Sequence, residues 1–549
     1  MTREIQVPVL VVGGGPIGLS LAMDLAWRGV EVLVCEIRAR SEPPSPKCNH
    51  VAARTMEIFR RLGVAGKLRN AGLPADYPND VSYRTSFTGT ELTRIPIPCR
   101  RDRYTATEGP DTDWPTPEPP HRINQIYLEP ILFDHAAQMP KLRTLNRTKI
   151  EAFIQSADQV VANARDLGNG EVIRITCQYM IGCDGGSSLV RKGIGAAFEG
   201  EAVIARTQTC FIRAPSLMDL QTEKPAWASF SLNPRRSGNV YAIDGKEKFV
   251  VHNYLKPNEA GFDSVDRDWA IRTILGVDGG FDYEILSKED WFGRRLVANK
   301  FRDRRVFVAG DAAHIWVPYA GYGMNAGIAD AMNLSWLLAA HLNGWAPAGI
   351  LDAHECERHP ITEQVSRYVM DHAHAMASQR GAVPENIEED STEGEAMRAK
   401  LGQAAYDLNV QQYCCAGLNF GTFYESSPII SHDGEAAPGY TMANFTASTV
   451  PGCRTPHLWL GEGRGLYDAM GPEYTLLRLN RDIDVSPFLF ACHERGVPLS
   501  VLDLDGVTTP SSYRHGLVLS RPDQHVAWRG NALPDNCDNL SDLIRGATR

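Results

Sequence analysis

The stretch that most constrains the fold lies at the start of the chain. Val7 to Val12 is an apolar run of buried-strand type, and Gly13-Gly14-Gly15-Pro16-Ile17-Gly18 follows without a break. Leu19 to Arg28 carries helical apolar spacing, Gly29 ends that helix, and Val30 to Cys35 is a second apolar strand closing on Glu36. Each residue type answers a geometric demand. Gly13 permits the tight turn, Gly15 lets backbone approach a pyrophosphate, Pro16 opens the helix, and Gly18 lets helix and strand pack closely. Glu36 is placed to accept from an adenosine ribose. The order strand–GxGxxG–helix–strand–acid therefore predicts a Rossmann-like α/β unit that binds a dinucleotide.

A second stretch repeats the logic far downstream. Val306 to Ala309 is a short buried-strand run ending at Gly310-Asp311, and a loop with Pro318, Gly321 and Gly323 leads through Met324 and Asn325 into an Ala/Leu/Met-rich helix. A carboxylate at a strand end can hold a polyol hydroxyl, and Gly-rich backbone at a helix N-terminus suits an oxygen that gains negative charge. A flavin offers both, through its ribityl chain and its reduced ring edge. Between the two stretches, Lys47 and Arg54 follow a Pro/Ser loop, Ser41 to Pro46, as basic candidates for the pyrophosphate; a solvated lysine and a helix-surface arginine is the competing reading.

With 549 residues the chain exceeds one ordinary core and calls for two or three domains. A net charge of −10 with no basic block excludes a nucleic-acid or anionic-membrane surface. No apolar stretch has signal or membrane-span length, so a cytoplasmic protein is expected. The 12 cysteines are scattered, with Cys414 and Cys415 adjacent and no Cys-x-x-Cys pair, which indicates neither a disulfide framework nor a metal site.

Together, Gly13–Gly18 with Glu36, the Arg54-Thr55-Met56-Glu57 helix, Cys183-Asp184-Gly185-Gly186 with Ser188 and Arg191, and Gly310-Asp311 through Asn325 resemble the class A flavoprotein aromatic hydroxylases. These are the single-component enzymes with the p-hydroxybenzoate hydroxylase fold, and the likeness is to their phenol-hydroxylase branch. It implies a discontinuous FAD domain, 1–185 plus 290–360, and an inserted antiparallel-sheet substrate domain, 186–289 with part of 75–105. A helical region and linker, 361–450, and a C-terminal thioredoxin-like α/β domain, 451–549, complete it. Without Cys-x-x-Cys that last domain is read as structural. The resemblance also implies Gln125 beside the flavin and Asp184, Gly185 and Arg191 serving FAD and nicotinamide together. Lys47 stands where arginine is common in the family, and Tyr319 and Tyr322 where smaller side chains are.

The implied reaction takes hydride from NADH or NADPH and uses O2, through a flavin C4a-hydroperoxide, to hydroxylate an electron-rich arene. The substrate expected is a substituted phenol or catechol, with release of a nitro or halide group left open. Few cations in the insert favour a phenol over a polyanionic acid. A larger polycyclic or polyketide aromatic and a non-hydroxylating FAD-binding protein are the alternatives, and a homodimer is the candidate assembly. Four strand-like runs, 205–212, 226–232, 238–243 and 249–255, make up the insert. Alternation puts Tyr241 and Ile243 on one face, and separates Phe249, Val251 and Asn253 from Val250, His252 and Tyr254. A phenol gains nucleophilicity by bonding to an acceptor, so Tyr241 and His252, with Pro318 in the closing loop, are the catalytic candidates. An ordinary sheet-surface role for each stays open. His314, beside Asp311, is read as a packing or flavin-side residue.

Overall fold

A computed structural model describes residues 3–40, 42–461 and 463–548; Ser41, at the head of the Pro/Ser loop, and the N-terminal Met1 and Thr2 lie outside them. Strand Arg3–Val12 runs parallel to Val32–Cys35 on one side and to Val172–Gly182 on the other. Leu142–Leu145 and Val306–Val308 extend the parallel sheet at its two ends, and an antiparallel hairpin, Thr148–Gln155 and Val160–Asp166, joins the Val172 strand. The period of two sorts the side chains. Val9, Val11, Val32 and Val34 pack under helices Pro16–Trp27 and Tyr322–Leu342, while Leu10, Leu33, Val306 and Val308 pack on the opposite face. A strand buried on both sides explains the unbroken apolar runs.

The inserted sheet has eight strands, in the order His314–Ile315, Glu284–Ala298, Phe198–Arg213, Lys248–Tyr254, Gly238–Ala242, Ala228–Ser231, Val81–Arg84, Glu91–Ile95. It takes two strands from the 75–105 region, and its Glu284–Ala298 strand runs across residue 289 into the returning FAD segment.

Beyond it, helix Ala353–Gly381 runs straight through Pro360, which the sequence places at the start of a helical region. Buried Glu357, Arg358 and Ile361 on either side of the proline hold the helix together across the missing hydrogen bond. The acidic stretch Glu385 to Glu395 is partly helical. Ser391 caps helix Thr392–Tyr413, accepting from Gly394 N at 3.1 Å, and Glu393 and Glu395 sit at the positive end of the dipole. Among the described residues of 421–465, the strand pairings are isolated bridges. The C-terminal domain has a four-stranded sheet, Leu499–Asp503, Tyr474–Arg478, Leu517–Ser520 and Val526–Gly530, with helices Ser486–Glu494 and Cys537–Ile544. This arrangement fits a thioredoxin-like domain. Trp459 makes a single bridge to Gly465, and Val526–Gly530 is the edge strand.

Candidate active site

The glycine turn is built as its spacing demands. Gly13 has φ +105°, and a Cβ there would lie 2.3 Å from the Cys183 carbonyl oxygen. At Gly18 a Cβ would lie 2.0 Å from Gly13 O, so helix Pro16–Trp27 sits against the strand at a distance only glycine allows. Gly15 is the opposite case. It caps the helix with extended backbone and no side-chain cap bond, and nothing stands within 4 Å of where its Cβ would be. The first-turn N–H groups of this helix are thus left for a phosphate-like ligand. Glu36 accepts from Gly14 N at 2.6 Å and from Arg38 N at 2.9 Å and Nε at 3.1 Å. A carboxylate has about four acceptor sites, so one remains for a sugar hydroxyl. Arg38 also pairs with Glu129, which accepts from Gln125 Nε2 at 3.0 Å. Gln125 N itself donates to Cys48 O at 3.0 Å, which ties its helix to the Lys47 loop.

The Gly310 turn lies on this unit. Gly310 (φ +61°) packs against Ile17, and Gly327 touches both of them. Asp311 is surrounded by protein, which raises its pKa against the opposing charges of His314 and Lys47, yet its side chain is open to solvent in the cleft. His314 is committed elsewhere. It stacks on Trp316 at 4.5 Å and meets Asp330 at 2.6 Å, and Asp330 also holds Arg358 at 2.8 Å and accepts from Gly310 N at 3.3 Å. Burial alone would raise the Asp330 carboxyl, but His314 and Arg358 hold it well below the usual range. Gly321 (φ +59°) caps helix Tyr322–Leu342 without a side-chain bond, which leaves a second open helix N-terminus with Gly323 and Met324 in its first turn. Asn325 joins the parts, accepting from Ala52 N at 2.9 Å and donating to Gly321 O at 2.7 Å and His50 O at 3.2 Å.

Register settles which face of the inserted sheet looks at this cradle. Asn239 pairs with His252, Tyr241 with Val250, Thr209 with His252, and Thr207 with Trp291 and Tyr254. Paired residues share a face, so Tyr241, His252 and Tyr254 stand together, and Phe230 and Tyr83 continue the row. Phe249 and Val251 point the other way, onto Ile271, Ile274 and Leu275 of helix Arg267–Leu275. Glu289, on the first face, receives Ser45 Oγ at 2.7 Å and pairs with Lys47, so this face is the one toward the FAD-type domain. Pro318, exposed, precedes the turn that sets Tyr319 against Tyr241 and Tyr254. Trp227 is 5.1 Å from Tyr241 and edge-on to Tyr413 at 6.2 Å. The result is a buried aromatic cage. Burial pushes the Tyr83, Tyr241 and Tyr413 phenols well up, so they stay protonated. Burial pulls His252 down to about 4, against the pull of Glu289, so it is neutral near pH 7. Its Nδ1 lies 2.7 Å from Thr209 Oγ1, which accepts from Trp291 Nε1 at 2.8 Å.

Three expected cofactor residues turn aside. Arg54 reaches Glu57 at 3.0 Å and the Asp523 carbonyl at 2.5 Å, drawn by the acid one helical turn on and by the C-terminal domain rather than by the cradle. Asp184 caps its own turn, accepting from Ser188 Oγ at 2.5 Å and Leu189 N at 2.7 Å; Gly185 (φ +75°) makes that turn possible. Arg191 is buried beneath Phe198 and donates to Ala312 O at 3.3 Å, which makes it a support behind the Asp311 turn. Lys47 stays near Asp311, with its charge shared by Glu289. Sequence reasoning missed Arg38, Thr209, Trp291, Tyr413 and Arg380. Only Arg38, two residues after the ribose acid, carried a local signal.

The family described as FAD binding domain matches residues 6–369. A phenol 2-monooxygenase of Pseudomonas sp. (strain EST1001) is 27% identical over 99% of this chain and 93% of its own. A putative polyketide hydroxylase of Streptomyces halstedii is 29% identical over 95% and 93%. Among solved structures, the rebeccamycin biosynthetic enzyme RebC with reduced flavin superposes with a TM-score of 0.90 at 32% identity, covering 100% of both chains.

Proposed function

The chain belongs to the FAD-binding-domain family, within the class A flavoprotein aromatic hydroxylases, and from that premise we propose that it hydroxylates an electron-rich hydroxyarene with NAD(P)H and O2. The observation that carries this is the half-buried face of Tyr241, His252 and Tyr254, on the side of the sheet toward the Lys47 loop and met by Tyr319 of the Pro318 turn. Bound FAD would supply the redox chemistry, taking hydride and activating O2. The two open helix N-termini, Glu36 and Asp311 are the groups that fit it. The chain's own task is orientation and dryness. Thr209 Oγ1 has two lone pairs, enough to accept from both Trp291 Nε1–H and His252 Nδ1–H. That arrangement leaves Nε2 of a neutral His252 to accept a substrate O–H, which raises the electron density of the ring to be hydroxylated. Apolar walls keep water from diverting the oxidant to H2O2.

The cage runs from Tyr83 to Trp291 across six strands, wider than one ring requires, and this favours a polycyclic or polyketide-type aromatic as the second reading within the class. A screen of NAD(P)H consumption over phenols and fused-ring phenols, with products identified by mass, tests both. Tyr241→Phe and His252→Leu should raise the share of NAD(P)H lost as H2O2. If both variants hydroxylate with no extra H2O2, the substrate is oriented by other residues.

A further inference from the structure

Two arginines close on the aromatic cage with no carboxylate paired to them among the described residues. Arg122 is 4% exposed; its guanidinium lies 4.8 Å from the Trp227 ring centre and 6.0 Å from that of Tyr413. Among the described residues it reaches His50 Nδ1 and, at 3.5 Å, the Tyr413 carbonyl. Arg380, in the last turn of helix Ala353–Gly381, lies 4.3 Å from the Tyr254 ring centre and donates through Nη2 to Tyr319 Oη at 3.4 Å. Its Nη1 is buried with no partner among the described residues. The buried Tyr83 and Tyr413 hydroxyls beside it interact with each other and meet no charged acceptor. Arg380 acts electrostatically on Tyr83 and Arg122 on Tyr413, so the two guanidiniums flank this hydroxyl pair.

Arg122 is fully buried and Arg380 half-buried, and the rest of the molecule treats buried arginine differently. Arg28, Arg69, Arg84, Arg103, Arg236, Arg295, Arg358, Arg454, Arg521 and Arg529 are all less than a tenth exposed, and each pairs with a carboxylate. Arg191, the other exception, has Asp184 nearby and the Ala312 carbonyl. Ring faces and carbonyls offset only part of the cost of taking a guanidinium out of water. Protonated tyrosines add donors, not counter-charge. Both arginines come from outside the inserted sheet, so the scarcity of cations in that insert says nothing about the charge of what enters.

We propose that the cage takes an aromatic substrate bearing a carboxylate, which Arg122, Arg380 and the Tyr83 and Tyr413 hydroxyls receive. This rests on the cage being the substrate site.

The test uses the FAD-loaded enzyme and reads binding from perturbation of the flavin absorbance, without turnover. The probes are salicylate against salicylamide, and hydroxynaphthoate against hydroxynaphthamide. The acid of at least one pair should bind about tenfold or more tightly than its amide, the level expected when a buried charge gains its partner. Arg380→Met and Arg122→Met should each erase that preference while amide binding stays within about twofold, and Arg122→Lys should restore part of it. Equal binding of acid and amide to the unmodified enzyme, or a preference that survives both methionine substitutions, overturns the inference. The wild-type comparison stands even where a variant folds poorly. An amide that is hydroxylated while no acid binds sinks the carboxylate and keeps the hydroxylase; acids that bind without any hydroxylation do the reverse.

Discussion

Two buried polar regions of this molecule are built by opposite rules. At the seam with the C-terminal domain, Arg521 is fully buried and spans Glu357, at 2.5 and 2.8 Å, and Asp523, at 2.8 Å, while Asn333 and Ser427 donate to the same two oxygens of Glu357. Every charge there finds its opposite within the chain. In the aromatic cage the guanidiniums of Arg122 and Arg380 face rings, hydroxyls and carbonyls. The seam is electrostatically finished by folding, and the cage is finished by something that enters. Glycines repeat the contrast: Gly18 is filled around by the chain itself, whereas Gly15 opens on free space.

The sharpest way to break this comparison is to remove one arginine from each region. Arg521→Met strands two buried carboxylates and should lower unfolding free energy by about 3–5 kcal/mol. Arg380→Met removes an uncompensated charge, and without ligand it should change stability by less than about 1 kcal/mol or raise it. Denaturant unfolding of ligand-free protein measures both, and equal losses would erase the distinction. Next in size is Asp311→Ala, expected to weaken FAD by about 1.5–3 kcal/mol, or roughly tenfold to a hundredfold, through loss of a charged hydrogen-bond partner. Titration of apo-protein with FAD checks it, and full occupancy at unchanged affinity would take Asp311 out of the cradle.

The glycine pair should follow. Gly18→Ala forces backbone apart and should cost about 1–3 kcal/mol of stability, while Gly15→Ala should leave the apo Tm unchanged and reduce FAD affinity. A Tm loss at Gly15 as large as at Gly18 would mean the open space is not there. The smallest effect concerns pH. The His252 pKa of about 4 lies below the ordinary 6.5 of an unfolded histidine, so the unfolded state binds more protons in between. Its contribution to stability is therefore complete above about pH 6.5 and declines as pH falls toward 4. His252→Asn should flatten that part of the stability profile slightly, because buried His354 and His372, also pulled down to about 4, share the same window.

How much of this could be read in advance depended on range. The strand–turn–helix at Gly13–Gly18 and the Gly310 turn are local devices, and their spacing alone specified the backbone. Tyr241 and His252 could be put on strands, but which face they showed waited on pairing with Thr209 and Asn239, contacts that no periodicity records. Arg54 looked like a phosphate ligand because nothing near it in sequence announces Asp523, 469 residues on. Arg380 was invisible for the same reason: a charge gains meaning from what surrounds it, and Tyr83, Tyr254 and Tyr319 come from separate stretches of chain. Pro360 shows the converse, a strong local stop signal overruled by packing.

The discontinuity of the parallel sheet has a consequence in time as well as in space. Strand Arg3–Val12 emerges first from the ribosome, yet its neighbour Val172–Gly182 follows after about 160 residues and Val306–Val308 closes the sheet about 300 residues later. At roughly 5–20 residues per second the opening βαβ unit waits about 8–30 s for that neighbour, with one flank of its central strand unpaired. During that interval the nascent chain presents an apolar edge to the cell. That flank is covered once Val172–Gly182 is made, and the parallel sheet is completed by Val306–Val308, directly before Asp311.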